Sequence, residues 1–398
     1  MVFEWLKSIH ILLTLPFLFS SALRAQQPAA ADISAYLHLL KDKKIGLTTN
    51  HSALAGNGHL LDLLLRHNVD VVKIYAPEHG FRGVAGAGEK VGDYTDEITG
   101  IPVVSLYGSS RKPGKAQLAG IDCMLFDMQD VGVRFYTYLS TMHYVMEACA
   151  ENSLPFILLD RPNPNGFYID GPVLKPECRS FVGMHEIPVV HGMTLGELAL
   201  MINGEGWLAG GRECSLTVVP CRDYTHESRY VPPVRPSPNL PDIQAILLYP
   251  TLCFFEGTPL SVGRGTDFPF KVVGHPRFKG KKGYEFSFVP STRDGRLKPL
   301  LENQTCYGKY FGDFDAGNIR ELMLDLILEI CGDYGIKNGI KNGFFKPVFD
   351  KLAGNTLLQK QIENGASARE IRNSWRNDLE KFKIKRKKYL LYPDFSQT

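Results

Sequence analysis

The signatures of several large enzyme classes are missing from this sequence. His185 and His191 stand six residues apart with Pro188 between them, so no His-Glu-x-x-His pair is available for zinc. No Gly-x-Ser-x-Gly occurs, which removes the nucleophile elbow of serine hydrolases. No Gly-Lys-Ser/Thr loop is present to cradle phosphates. Gly86, Gly88 and Gly92 give Gly-x-Gly-x-x-x-Gly, one residue longer than the dinucleotide fingerprint and placed after a polar loop. No cofactor and no metal are expected from these patterns. The 45 Lys and Arg against 42 Asp and Glu leave a net charge of only +3, with no basic stripe carrying interleaved aromatics, so nucleic acid is not an expected partner. The 8 cysteines include no Cys-x-x-Cys. Cys123, Cys149, Cys253 and Cys331 sit among apolar residues and read as small buried hydrophobes. Cys214 and Cys221 are close enough in sequence for a local bridge, but a chain of 398 residues needs none in order to fold.

Long apolar runs are also scarce, with one exception at the N-terminus. Lys7 gives a positive flank, Ile9–Phe19 an apolar segment, and Ser20–Ala25 small residues suited to cleavage. Residues 1–25 are therefore expected to be a signal peptide, and the segment is shorter than the roughly 20 residues a membrane-spanning helix needs. The expectation is an exported protein, periplasmic or extracellular, with no stable membrane insertion after cleavage.

Past this segment the chain alternates regularly. Strand-like runs at Ile45–Thr49, Val69–Tyr75, Val103–Leu106, Met124–Phe126, Phe156–Leu159 and Leu216–Val219 are separated by helical patterns at Ala31–Leu40, Leu60–Leu65, near Gln117, at Tyr138–Ala150 and after the capping box Thr194…Glu197. This pattern predicts an α/β fold with a Rossmann-like open parallel sheet over residues 32–229. Tyr230–Asp242 holds five prolines and no helical period, so it is read as a linker. Residues 243–398 are expected to form a smaller α+β auxiliary domain, with helices at Ile319–Ile330 and Ala368–Leu379 and a strand at Tyr284–Val289. The basic run Lys381–Lys388 reads either as a solvated face or as an electrostatic contact for an anionic wall polymer.

Polar residues gather where the predicted strands end, which is where open α/β sheets bind ligands. Asn50 and His51 follow the first strand. Glu78, His79 and Arg82 follow the second, set between Pro77, Gly80 and Gly83. Asp130, Arg134 and Tyr136 lie in the loop after Asp127, while Asp160, Arg161 and Asn163 open the next. Glu186 and His191 bracket a short apolar run, and Glu256 and Arg264 lie in a Gly-rich loop further on. Glycoside hydrolysis needs two carboxyl groups, one of them protonated to serve as general acid. Glu78 is the natural acid, with Glu256, Glu186 and Asp130 as possible partners. Tyr and Phe side chains offer faces to a sugar, and Arg82, Arg134, Arg161 or Arg264 could grip a carboxylate bidentately. Residue chemistry alone leaves a metal-dependent hydrolase and a non-catalytic glycan-binding protein open as alternatives.

Six ordered motifs carry a resemblance. GLTTNHSAL (Gly46–Leu54), APEHGFRG (Ala76–Gly83), DMQDVGVRFYTYLSTM (Asp127–Met142), LDRPNPNG (Leu159–Gly166), HGMTLGEL (His191–Leu198) and FEGTPLSVGRGTDFPF (Phe255–Phe270) together resemble the bacterial peptidoglycan exo-β-N-acetylmuramidase family, formerly known only as a domain of unknown function. The resemblance runs from about Lys44 to the C-terminal Tyr-Leu-Leu-Tyr. It implies a Rossmann-like catalytic domain, a C-terminal auxiliary domain and a cleft near their junction. The implied activity is release of terminal N-acetylmuramic acid from the non-reducing end of peptidoglycan fragments, without a nucleotide cofactor. It carries the catalytic role onto Glu78.

Overall fold

The computed structural model describes residues 26–83, 92–108, 110–293, 298–336 and 343–396. The predicted signal peptide, together with Gly86 and Gly88, lies outside the described residues.

Among the described residues, twelve strands form three sheets. The large one contains β1 (Lys44–Thr49), β4 (Asp70–Ala76), β5 (Tyr94–Thr95), β6 (Pro102–Ser105), β7 (Cys123–Asp127), β8 (Phe156–Leu159) and β9 (Leu216–Val219). Between them, β2 (Leu54–Ala55) and β3 (Gly58–His59) make a small hairpin. The order across the large sheet is β5-β6-β4-β1-β7-β8-β9, parallel throughout except for β5. The chain runs outward from β1 to β4 and β6, then returns to the other side of β1 with β7, β8 and β9. That is the doubly wound order of a Rossmann-like sheet, and its switch point lies between β1 and β7.

Side-chain alternation explains why the sheet is buried on both faces. Cys123 and Leu125 of β7, with Ile45 and Leu47 of β1 and Ile157 and Leu159 of β8, enter one core, which α1 (Leu37–Leu40) and α2 (Leu60–Arg66) cover. Met124 and Phe126, with Phe156 and Leu158, enter the other. There they meet α4 (Tyr138–Glu151) and α5 (Leu195–Gly204), while α3 (Lys115–Leu118) closes one end. Thr194 caps α5 and Glu197 completes the capping box, as the sequence predicts. Each fully buried Leu, Ile or Phe contributes roughly 1.5–3 kcal/mol.

The second of these cores continues without a break into the C-terminal part. There α6 (Ile243–Leu252) leads to a three-stranded antiparallel sheet of β10 (Val272–His275), β11 (Phe286–Phe288) and β12 (Cys306–Tyr310), in the order β10-β12-β11. Helices α7 (Leu324–Tyr334), α8 (Pro347–Ala353), α9 (Leu357–Glu363) and α10 (Ala368–Arg386) complete it. The large sheet ends before Tyr230–Asp242 and the small one begins after it. The proline-rich segment is packed against the body, since the Pro236 carbonyl accepts the hydroxyls of Tyr136 (2.8 Å) and Tyr138 (3.1 Å).

Three predicted elements differ from those observed. The helix expected from Ile319 starts at Leu324, because the backbone N–H of Leu322 donates to Asp170 and its carbonyl accepts from Arg372. Ala31–Leu40 breaks into two 3₁₀ turns and the short α1. The helix expected over Ala368–Leu379 continues through most of the basic run to Arg386, with Phe382 and Arg386 buried and Lys383 and Lys385 paired to Glu380 and Glu205.

Candidate active site

Strand β4 delivers its last residue, Ala76, to the carboxyl edge of the sheet, and Pro77 ends it. The chain then turns within four residues, the Gly80 N–H reaching the Pro77 carbonyl at 3.0 Å. His79 adopts φ 74° inside this turn, a left-handed conformation that costs a non-glycine residue on the order of 1–3 kcal/mol. Its Nε2 lies 3.3 Å from the Ser237 hydroxyl, so the proline-rich segment helps to hold it. Gly83, at φ 69°, faces the His51 ring, and a Cβ there would come within 2.1 Å of Nδ1. The motif's glycine is thus needed for close approach as well as for the turn.

The turn presents Glu78 to a cavity of about 610 Å³. The Thr137 hydroxyl, at the start of α4, donates to Glu78 Oε2 at 3.0 Å. Tyr107, just beyond β6, hydrogen-bonds the same carboxyl. Burial and the adjoining Glu78 charge push the Tyr107 phenol up to about 12, so it remains protonated at neutral pH. Glu256 and Arg264, from the C-terminal part, line the same cavity and are bonded to each other through Arg264 Nε and, at 3.1 Å, Nη2. Burial alone would lower the pKa of Arg264, and the charge and hydrogen bonds of Glu256 outweigh it. Tyr136, Ser237 and Asn239 contribute further wall, so both halves of the chain and the segment between them enclose one space.

Five of the sequence candidates meet here: Glu78, His79, Tyr136, Glu256 and Arg264. Among the described residues, Glu78 and Glu256 are the two carboxylates lining the cavity. The other candidates have different roles. Glu186 pairs with Arg179 on the surface at 2.8 Å, away from Glu78. Asp130 is buried behind the wall, accepts the Gly132 N–H at 2.6 Å, and is pushed up to about 7 by burial. Arg82 is clamped by Asp96 through Nε at 3.0 Å and Nη2 at 2.8 Å, so it is not available to a ligand carboxylate.

Arg134 is spent on the backbone carbonyls of Pro172, Ile187 and Leu352. Arg161 is locked to Asp127, and Asp160 accepts from Thr194, Gly196 and the hydroxyl of Tyr392. These last contacts fasten the C-terminal Tyr-Leu-Leu-Tyr stretch back onto the sheet. Asn163 bonds the Met193 carbonyl, and His191 accepts the Met193 N–H. Asn50 donates to Tyr138 at 2.6 Å and His51 contacts the Arg235 carbonyl at 3.0 Å, so both brace the cavity from behind. Asn50, Tyr138 and the Pro236 carbonyl form one hydrogen-bonded chain beyond β1, and the cavity is lined by Glu78 and Tyr107, which follow β4 and β6.

Sequence reasoning missed Tyr107, Arg111, Thr137, Phe181, Ser237 and Asn239, all lining the cavity. Tyr107 and Arg111 had a readable signal, a polar loop at the end of a predicted strand. Ser237 and Asn239 had none, since a proline-rich connector gives no hint of which wall it will form. Among the described residues no group of three or more His, Cys, Asp or Glu is placed to hold a metal ion.

Comparison with known proteins agrees over nearly the whole chain. The N-terminal domain of exo-β-N-acetylmuramidase NamZ matches residues 45–244 and its C-terminal domain residues 247–392. The peptidoglycan β-N-acetylmuramidase NamZ of Bacillus subtilis (strain 168) is 40% identical over 383 residues, covering 90% of this chain and 89% of that relative. Two crystal structures of DUF1343 family proteins from Bacteroides fragilis superpose closely. One has TM-score 0.84 and 45% identity, covering 93% of this chain and 99% of that one. The other has TM-score 0.79 and 28% identity, covering 92% and 99%. With both of its halves matched in order, this chain belongs to the exo-β-N-acetylmuramidase NamZ family.

Proposed function

We infer that the protein is a glycosidase that releases terminal N-acetylmuramic acid from the non-reducing end of peptidoglycan-derived glycans, with Glu78 as its general acid. The observation that carries the mechanism is the pairing of Glu78 and Glu256 as the two carboxylates of one cavity. Glycoside hydrolysis needs one carboxyl to protonate the departing oxygen and a second to assist attack at the anomeric carbon. Glu256, ion-paired to Arg264, suits the ionised role. Glu78 is held by two hydroxyls, Thr137 and Tyr107, and a hydroxyl can turn from donor to acceptor. The same contacts therefore serve the acid before proton transfer and the carboxylate after it. A sugar filling the cavity would exclude water from around Glu78. The aromatic wall supplies faces for the sugar ring.

The experiment is Glu78→Gln. The variant should keep its fold and glycan binding while losing about 10²–10⁴-fold in turnover of the natural disaccharide. An aryl glycoside with a very good leaving group should lose much less, because it departs without a proton. Wild-type-like rates on the disaccharide would remove Glu78 from the mechanism.

Export belongs to the same proposal, supported by the charge, apolar and small-residue pattern of residues 1–25. Sequencing the N-terminus of the mature protein after expression in a bacterial host tests it. An intact Met1 in the secreted fraction would count against cleavage.

A further inference from the structure

We propose that a second cavity, of about 580 Å³ and adjoining the first, is a subsite for the sugars on the leaving-group side of the scissile bond. This rests on the muramidase reading above. The two cavities share a wall made by Arg111 and Phe181. An unbroken path of aromatic rings joins them. Tyr107, which bonds Glu78, lies 6.2 Å from Phe181, and Phe181 stacks on Tyr144 at 6.3 Å with an interplanar angle of 12°. The Phe181 loop is pinned to α4, since the Ser140 hydroxyl donates to the Phe181 carbonyl at 2.7 Å. Both cavities thus lie along one helix. From Thr137 beside Glu78 to Tyr144 is seven residues, about 10 Å along the axis, the length of about two sugar units in a chain.

The second cavity also has polar character of its own. His185 lines it, is 3% exposed, and has an Nδ1 with no partner in the protein. Its other nitrogen is occupied by His143 at 3.0 Å, and its ring is fixed by stacking on Trp207 at 5.3 Å. Aromatic faces beside fixed hydrogen-bonding groups suit a carbohydrate, which is apolar on its ring faces and polar at its rim. The direction of the chain follows from exo action: only one sugar lies on the non-reducing side of the bond cleaved. Whatever part of a glycan reaches a neighbouring cavity must belong to the leaving group.

A third cavity adjoins the first through Asn239 and Arg264 and reaches Lys298. It carries no aromatic ring among its described lining residues, which is why the sugars are assigned to the side of Tyr144.

The test compares kcat/KM for a MurNAc-GlcNAc disaccharide and the corresponding tetrasaccharide. In the wild type the tetrasaccharide should be favoured by roughly 3- to 10-fold, the worth of one added ring contact. Tyr144→Ala should bring that ratio close to one, and Tyr144→Phe should restore it. Trp207 gives a second readout: a GlcNAc-MurNAc disaccharide, which has no terminal N-acetylmuramic acid to lose, should change its fluorescence saturably in the wild type and not in Tyr144→Ala. Equal kcat/KM for the two substrates in the wild type overturns the subsite. So does a ratio that survives Tyr144→Ala, or one lost instead in Lys298→Ala. Failure of the underlying reading looks different, since the wild type would then release no N-acetylmuramic acid from either substrate.

Discussion

The hydroxyl of Thr137 meets Oε2 of Glu78 at 3.0 Å, tying the turn after β4 to the start of α4. With Tyr107 on the same carboxyl, Glu78 is held from two further elements of the sheet edge. Proper aim of a catalytic acid depends on such supports. Thr137→Val and Tyr107→Phe keep shape and remove one hydroxyl each. Each should lower kcat by about 10-fold with little change in KM, as expected when positioning in the transition state is impaired. An unchanged kcat in both variants would show that the hydroxyls do not position Glu78.

Glu256 and Arg264 act as a unit, so their substitutions should not add. Both side chains are partly open, at 27% and 30% exposure, and the pair faces the cavity more than the core. Glu256→Gln removes the second carboxylate, while Arg264→Ala leaves it unpaired and free to swing. Each should cost about 10²-fold or more in kcat/KM, and the double variant little beyond the worse single one. Full additivity in this double-mutant cycle would mean that the two contribute separately.

Asp130 allows a stability prediction with a definite sign. Folding raises its pKa from 3.8 to about 7, burial being the largest cause. The native state therefore keeps a proton that the unfolded chain releases between those values, and stability from this group falls as pH rises through the window. The slope is at most about 1.4 kcal/mol per pH unit. Buried His185 and His191 pull the other way, because burial lowers their pKa and the unfolded chain takes up their protons below about 6.5. The difference between wild type and Asp130→Asn isolates the aspartate. Denaturant unfolding from pH 4 to pH 8 should show the variant gaining on the wild type as pH rises, and parallel profiles would refute the assignment.

The fold was largely legible because its signal is local. Apolar runs such as Phe156–Leu159 and Leu216–Val219 are strands with the bounds read from sequence, and Thr194…Glu197 caps a helix as its spacing requires. The site was legible only in part, because a side chain's partner is a tertiary fact. Arg82 and Arg264 look alike in sequence, each in a Gly-rich loop, yet one is clamped by Asp96 outside the cavity and the other lines it with Glu256. Asp160 and Arg161 follow a strand just as Glu78 does. They face inward because Tyr392, more than two hundred residues away, and Asp127 claim them.

The same partner logic identifies the residue that should recognise N-acetylmuramic acid, which differs from N-acetylglucosamine by a lactyl carboxylate. Discrimination needs a cation in the cavity whose donors are not already taken. Arg82 is held by Asp96 and Arg264 by Glu256. Lys351 lines the cavity but reaches the Glu177 carbonyl at 3.2 Å. Arg111 lines it as well, lies over the Phe181 ring at 4.2 Å, and has no carboxylate partner among the described residues. Its planar fork is suited to a bidentate grip on the lactyl group. Matched aryl glycosides of the two sugars provide the measurement. The wild type should prefer the N-acetylmuramic acid substrate strongly. Arg111→Ala should lose roughly 10- to 100-fold on that substrate, the worth of a charge-assisted hydrogen bond, and little on the other. Arg111→Lys should recover part of the loss, since it restores charge without the fork. Arg82→Ala serves as the contrast: it breaks the contact to Asp96 and should reduce stability, but it should leave the ratio between the sugars intact. A preference that persists in Arg111→Ala and disappears in Arg82→Ala would return the role to Arg82, one of the arginines that the sequence suggests.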